Sequence, residues 1–143
     1  MVEQCGPNSR VTYPFRRIEA LASVAPEARR VDGLLTYVYH LFPNALVTVL
    51  SHHTNLVVLE PVAVDRTRLV TYSLTNRGAD AGDTAAARRD AEFVNATGGK
   101  EDLGVVLAIQ RSLGSRANEF FSFGRFEAAL AHFHETLNAV LAP

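Results

Sequence analysis

Apolar and polar residues alternate along the chain from about residue 34 to residue 75, and this period of two is typical of β-strands. The clearest case is the last strand, where Val70, Tyr72 and Leu74 share one face and Thr71 and Ser73 share the other. One face of this strand is expected to be covered, and the other to be wet or to line a cavity. The predicted strands are Arg10–Tyr13, Leu34–Phe42, Leu46–Ser51, Asn55–Pro61 and Thr67–Thr75.

Short polar segments separate the last four of these strands. They are Pro43-Asn44, His53-Thr54 and Asp65-Arg66. Connections of this length join antiparallel neighbours, because a parallel crossover needs a dozen residues or more. The sequence therefore predicts an antiparallel meander.

The second half of the chain changes to a helical period. Asp83 can cap a helix that runs to about Ala96, where Gly98-Gly99 is expected to end it. A second helix is predicted over Glu101–Leu113, and a shorter one precedes the sheet at Arg16–Val24, with a further turn after Pro26. The last helix carries one apolar stripe, formed by Phe126, Ala129, Leu130, Phe133, Leu137, Val140 and Leu141. Strands followed by helices laid across the sheet predict an α+β fold.

Composition narrows the function classes. A length of 143 residues predicts a single domain, residues 1–143. The formal net charge of -1, with Lys and Arg spread along the chain, gives no sign of a nucleic-acid partner. The single cysteine, Cys5, excludes an internal disulfide and a cluster of thiolate ligands. No apolar run is long enough to cross a membrane and no signal-peptide core is present, so a cytoplasmic protein is expected.

Several motifs in order resemble one known family. They are Tyr37 to Asn44, Leu59-Glu60-Pro61 with Asp65 to Arg68, Glu101-Asp102 opening an apolar helix, Phe123 to Glu127, and Phe133-His134-Glu135. Together they resemble the C-terminal part of the catalytic domain of Rieske-type aromatic-ring-hydroxylating oxygenases, in the α subunit. The resemblance implies a helix-grip fold, a curved antiparallel sheet gripped by a long C-terminal helix. It also implies a domain shortened on its N-terminal side.

Asp102 is the candidate metal ligand. On a helix it shares an apolar stripe with Val105, Val106 and Ile109, and a lone carboxylate on a core-facing stripe needs a cation, hydrogen bonds or a proton. Free backbone N–H groups in the first helical turn could satisfy it, which is the structural alternative. The resemblance implies that Asp102 is the carboxylate of a two-histidine, one-carboxylate iron (Fe2+) site. The chain lacks the family's histidine pair, spaced like D/E-x2-H-x4-H, and the Cys-x-His pairs of the Rieske iron-sulfur cluster.

The resemblance also implies substrate-binding roles for Phe93, His40 and Asn44. Each has a structural alternative, because Phe93 can be a core residue, His40 a hydrogen-bonded residue at the edge of the core, and Asn44 a turn residue. A rebuilt metal site from His40, one of His52 and His53, and Asp102 is also conceivable. His52 and His53 cannot chelate together while extended, since adjacent strand residues point to opposite faces.

Three functions follow from this sequence. The first is a partial ring-hydroxylating oxygenase that acts on an aromatic or apolar ring when a partner chain supplies the Rieske cluster and the two histidines. The second is a non-catalytic helix-grip module that binds a hydrophobic small molecule. The third is a structural or assembly role, since a shortened sheet should leave an edge that a second copy could pair, which predicts a homo-oligomer.

Overall fold

A six-stranded antiparallel sheet forms the body of the protein. The computed structural model describes residues 1–31, 33–50, 53–75 and 81–142. The strands are β1 (Val2–Cys5), β2 (Asn8–Pro14), β3 (Leu35–Leu41), β4 (Ala45–Val49), β5 (Thr54–Ala63) and β6 (Arg66–Leu74). Each strand pairs with the next in the order β1-β2-β3-β4-β5-β6, so the predicted meander is confirmed.

The β1 strand was not predicted from the sequence. Its residues, Val2–Cys5, lack the alternation of apolar and polar positions that marks the other strands, and most of them are exposed at the edge of the sheet. The hairpin to β2 pairs Cys5 with Asn8 and turns at Gly6, whose φ of 56° is a conformation that glycine adopts at little cost. Backbone pairing with β2 therefore defines this strand, without a buried side-chain face.

The segment between β2 and β3 forms two short 3-10 helices, Arg16–Ser23 and Pro26–Ala28. These match the predicted helix and the further turn after Pro26, although the hydrogen bonding is of the tighter 3-10 kind. Neither helix contains a fully enclosed residue, although Ile18 and Leu21 of the first are partly buried.

The helix α1 (Ala81–Leu113) is continuous over 33 residues, where the sequence had predicted two helices. The expectation that Gly98-Gly99 would end the first helix is wrong. A glycine inside a helix costs only about 1 kcal/mol relative to alanine, and it blocks neither the backbone hydrogen bond nor the helical φ and ψ. Alanine-rich sequence before the pair and leucine-rich sequence after it supply enough helix propensity to continue through.

The helix α2 (Ala128–Leu141) lies across one face of the sheet and contacts β1 and β2. The register of the strands puts Val11, Val38 and Leu46 on this face, together with polar residues of β5 and β6 such as Asn55 and Ser73. The α+β class and the helix-grip arrangement predicted from the sequence are confirmed.

The opposite face of the sheet is the more exposed one, although it carries the apolar side of β6. Tyr72 is 52% exposed and Leu74 is 50% exposed. The prediction that one face of β6 would be covered is not met, because Thr71 and Ser73 on its polar side are exposed as well. Ser73 donates a hydrogen bond to the buried Asn55 of the neighbouring strand. Within the described residues, the buried hydrophobic side chains are Ala87 and Ala91, both on the first half of α1. No described helix is both long and apolar enough to cross a bilayer.

Candidate functional site

A cavity of about 350 Å³ lies between α2 and the sheet. Its walls are mainly apolar, and the sheet residues come from β2 to β5 because alternate side chains of neighbouring strands point to the same face. The principal lining residues are Val11, Val38, His40, Leu46, Leu59 and Phe133. A concave apolar surface with few polar groups is the usual form of a site for a small hydrophobic ligand.

His40 is the titratable group of this cavity. Its ring packs edge-on against Phe133 of α2, with 5.0 Å between ring centroids, and also edge-on near Phe42 at 6.4 Å. Burial lowers the pKa of His40 below its ordinary value, and the nearby His132 lowers it further, while the backbone of Pro43 acts in the opposite direction. His40 is therefore neutral at pH 7 and offers one ring N–H donor and one acceptor.

Asn44 lies in the turn after His40, beside the cavity. Its side-chain Nδ2 donates to the carbonyl oxygen of Leu59 at 2.9 Å, and the N–H of Leu59 donates to the carbonyl oxygen of Asn44 at 2.8 Å. These two bonds fix the turn against β5, as the turn interpretation of Pro43-Asn44 implied. Because the amide is engaged with backbone, contact between Asn44 and a substrate stays a prediction.

Phe93 and Asp102 lie on α1, away from the cavity beneath α2. Neither is among the residues that line that cavity, and Phe93 is 71% exposed. With about 100° and 1.5 Å per residue, nine helical positions place the two side chains on opposite sides of α1 and about 13 Å apart along its axis. The predicted substrate contact Phe93 and the predicted iron ligand Asp102 therefore lie on different sides of one continuous helix, and the substrate-binding role of Phe93 stays a prediction.

The apolar stripe that carries Asp102 is not buried within the described chain. Asp102 is exposed, and Val105, Val106 and Ile109 are each about half exposed. The expectation that this stripe faces the core of the chain is wrong, because its carboxylate is exposed and its apolar side chains keep about half of their surface accessible. The role of Asp102 as an iron ligand stays a prediction.

The described residues do not form an iron site by themselves. No group of three His, Cys, Asp or Glu side chains within residues 1–31, 33–50, 53–75 and 81–142 is placed to hold a metal ion. The conceivable rebuilt site is therefore not assembled from His40, His53 and Asp102, while His52 lies outside the described residues. The donor set does not fit bound iron without ligands from elsewhere.

Two residues of the helix-covered face differ from what the sequence predicted for them: Phe133 was not a candidate site residue, and His53 was considered only as a possible metal ligand. Phe133 was predicted only as part of an apolar helical stripe, yet it forms the contact between α2 and His40. His53 was expected at a turn or at the edge of the core, yet it is only 4% exposed. The apolar period of α2 could have indicated Phe133, but no local pattern distinguishes His53 from its neighbour.

The sheet, the helix across it and the apolar cavity between them define an α+β domain of the helix-grip class. The family model for the ring hydroxylating alpha subunit (catalytic domain) matches residues 3–142. The chain therefore belongs to the family of ring-hydroxylating α-subunit catalytic domains, an oxidoreductase family of non-haem iron oxygenases. Searches of curated proteins and of solved structures found no match.

Proposed function

We propose that this chain is the substrate-cavity portion of a ring-hydroxylating oxygenase and holds an aromatic or similarly apolar ring in the cavity beneath α2. The observation that carries the proposal is the mainly apolar lining of this cavity, with neutral His40 among its few polar groups, in a chain that matches the family over nearly its whole length. Phe133 and His40 would contact the ring directly. Asn44 would position the adjoining turn.

Binding of naphthalene to the purified chain tests this proposal. Saturation-transfer NMR should detect binding, and Ala129→Phe, which fills the cavity from α2, should weaken it at least about tenfold. Ala96→Phe is the matched control, because Ala96 is exposed on α1 and outside the cavity lining. Equal binding by the two variants would contradict this assignment of the cavity.

We further propose that Asp102 is the carboxylate ligand of an iron ion whose two histidine ligands, and whose Rieske cluster, come from a partner chain. When bound, such an iron would supply oxygen activation. The contribution of this chain is a solvent-accessible carboxylate at a point on α1 where the surrounding apolar side chains are about half exposed. This accessibility supports a ligand that is completed by another chain.

Iron analysis separates the split site from a rebuilt one. The chain purified alone should contain little iron, and co-expression with a Rieske-domain chain from a neighbouring reading frame should raise the iron content. Asp102→Ala should prevent that rise, whereas Glu101→Ala should not, since Glu101 is an adjacent and equally exposed acid. Stoichiometric ferrous iron on the isolated chain, lost in Asp102→Ala, would refute the split site.

We also propose that the apolar surface of α1 is covered in a complex, either with that partner or in a homo-oligomer. Leu103, Val105, Val106 and Ile109 are all about half exposed, and contiguous apolar surface of this kind is uncommon on monomers. Light scattering at concentrations on the order of tens of micromolar should detect a species larger than the monomer. A monomer under these conditions, alone and with the partner, would count against this.

A second candidate function is a non-catalytic module that binds a hydrophobic molecule. It is favoured by the position of Asp102, which lies outside the cavity lining. This candidate predicts naphthalene binding that is indifferent to ferrous iron and to Asp102→Ala, and no iron uptake with any partner. The oxygenase proposal predicts iron uptake that depends on Asp102.

A further inference from the structure

A second cavity, of about 260 Å³, lies where the first half of α1 meets the ends of β5 and β6. It shares no lining residue with the cavity beneath α2. Leu74, Ala87 and Ala91 give it an apolar floor, and the remaining walls are polar. Its polar side chains include those of His53, Ser73, Arg88, Glu92 and Asn95.

His53 is the unusual member of this cavity. The residue is 4% exposed, and neither Nδ1 nor Nε2 has a hydrogen-bond partner. Burying polar atoms without partners costs about 1–3 kcal/mol for each group, and native proteins keep few such atoms. The adjacent buried Asn55 is satisfied, because the Ser73 hydroxyl donates to its Oδ1 at 2.8 Å. His53 is therefore the group beside this cavity to which a bound ligand could supply a missing hydrogen-bond partner.

The donors around His53 indicate the chemistry of that ligand. Arg88 carries a positive charge, and neither of the ion pairs found among the described residues includes it. Asn95 adds an amide N–H₂, and the imidazole adds a ring N–H. Glu92, one helical turn after Arg88, is the opposing charge. A carboxylate is a small group that can accept from both a guanidinium and an imidazole, and charge-assisted bonds of this kind are the stronger ones.

We propose that this cavity binds a small organic carboxylate, with His53 as the buried hydrogen-bonding anchor, Arg88 as the counter-ion and the apolar floor receiving the body of the molecule. The volume lies just below the range of about 300–1,000 Å³ that is common for sites of drug-sized ligands, so the ligand is small. The site does not depend on the function proposed for the cavity beneath α2. It would give the domain a second, chemically distinct ligand.

Titration of the full chain with benzoate, followed through the His53 ring signals in ¹H–¹³C NMR, tests the proposal. Saturable shifts are expected, with benzoate bound at least about tenfold more tightly than the neutral isostere benzamide. Arg88→Gln should weaken benzoate binding about tenfold, and Glu92→Gln should strengthen it. The matched control is Arg89→Gln, because Arg89 is an exposed arginine outside the cavity lining.

His53→Leu should abolish benzoate binding and raise Tm, since it removes unsatisfied polar atoms without removing buried volume. Ala129→Phe, which fills the other cavity, should leave the His53 response to benzoate unchanged, so the two sites are tested separately. Three results would each overturn the proposal. They are equal affinity for benzoate and benzamide, equal effects of Arg88→Gln and Arg89→Gln, and no saturable His53 shift at millimolar benzoate.

Discussion

The packing of α2 on the sheet rests on Phe133, and Phe133→Ala is the perturbation that measures it. The ring lies 5.0 Å from His40, 6.0 Å from Phe42 and 5.2 Å from His134, centroid to centroid. Aromatic pairs contribute about 0.5–1.5 kcal/mol each beyond the area they bury. Phe133 is half-buried, so its loss should cost less than the roughly 3–5 kcal/mol of a fully buried phenylalanine.

We expect Phe133→Ala to lower the free energy of unfolding by about 2–3 kcal/mol. For a chain of this length 1 kcal/mol corresponds to roughly 3–4 °C, so Tm should fall by about 6–12 °C. Urea denaturation and thermal melts followed by circular dichroism measure both quantities. Phe126→Ala is the control: Phe126 is 88% exposed, and its removal should change stability by less than about 0.5 kcal/mol.

A double-mutant cycle isolates the contact with the sheet. Combining Phe133→Ala with His40→Ala should give a coupling free energy of about 0.5–1.5 kcal/mol, because the two rings are in direct contact. If Phe133→Ala costs no more than Phe126→Ala, or if the coupling is zero, then α2 does not rest on β3 through this ring. The cavity on the helix-covered face would then not be closed by α2 in the way described above.

Three further predictions concern the turn, the titration of the cavity and the helix α1. Because the pKa of His40 is lowered in the folded state, the unfolded chain takes up the proton first; stability should be full above about pH 6.5 and fall as the pH drops below it, until His40 is protonated in the fold as well. In thermal melts from pH 5 to 8, His40→Gln should lose less stability at acid pH than the unmodified chain. An equal loss of stability would contradict the assignment of this pH dependence to His40. Asn44→Ala should cost about 1 kcal/mol in urea denaturation by removing its bond to Leu59, and a loss below about 0.3 kcal/mol would show that the turn holds without it. Gly104→Ala should increase helicity at 222 nm and stabilise α1 by about 0.5–1 kcal/mol, since an added Cβ meets no atom within 4 Å; a decrease would mean that another surface packs there.

Local pattern was sufficient to predict five of the six strands of the sheet, whereas β1 lacks the alternation that would have indicated it. The alternation in β6 and the short segments at Pro43-Asn44 and Asp65-Arg66 were enough to predict adjacent antiparallel strands, because hairpin connections are themselves local. The period of the last helix likewise predicted the stripe that contains Phe133. The family was also readable from the sequence, since its motifs keep their order along the chain.

Local sequence pattern could not predict which face of a helix is buried, or whether the helix continues through a glycine pair. Asp102 and its aliphatic neighbours have the spacing of a core-facing stripe, but burial requires a second surface, and within the described residues α1 finds none there. Gly98-Gly99 has the composition of a helix end, yet the propensity of the residues on both sides outweighs the cost of two glycines.

The sequence by itself determined the order, direction and neighbours of the strands, and the apolar face of α2, because these depend on residues close together in the chain. Only the tertiary structure decided which histidines are enclosed. His53 and Ser73 come together because β5 pairs with β6, and Ala87 and Ala91 of α1 complete the cavity around them. Contacts between residues twenty or more positions apart have no local signature, since burial belongs to the assembled surfaces and not to any one segment.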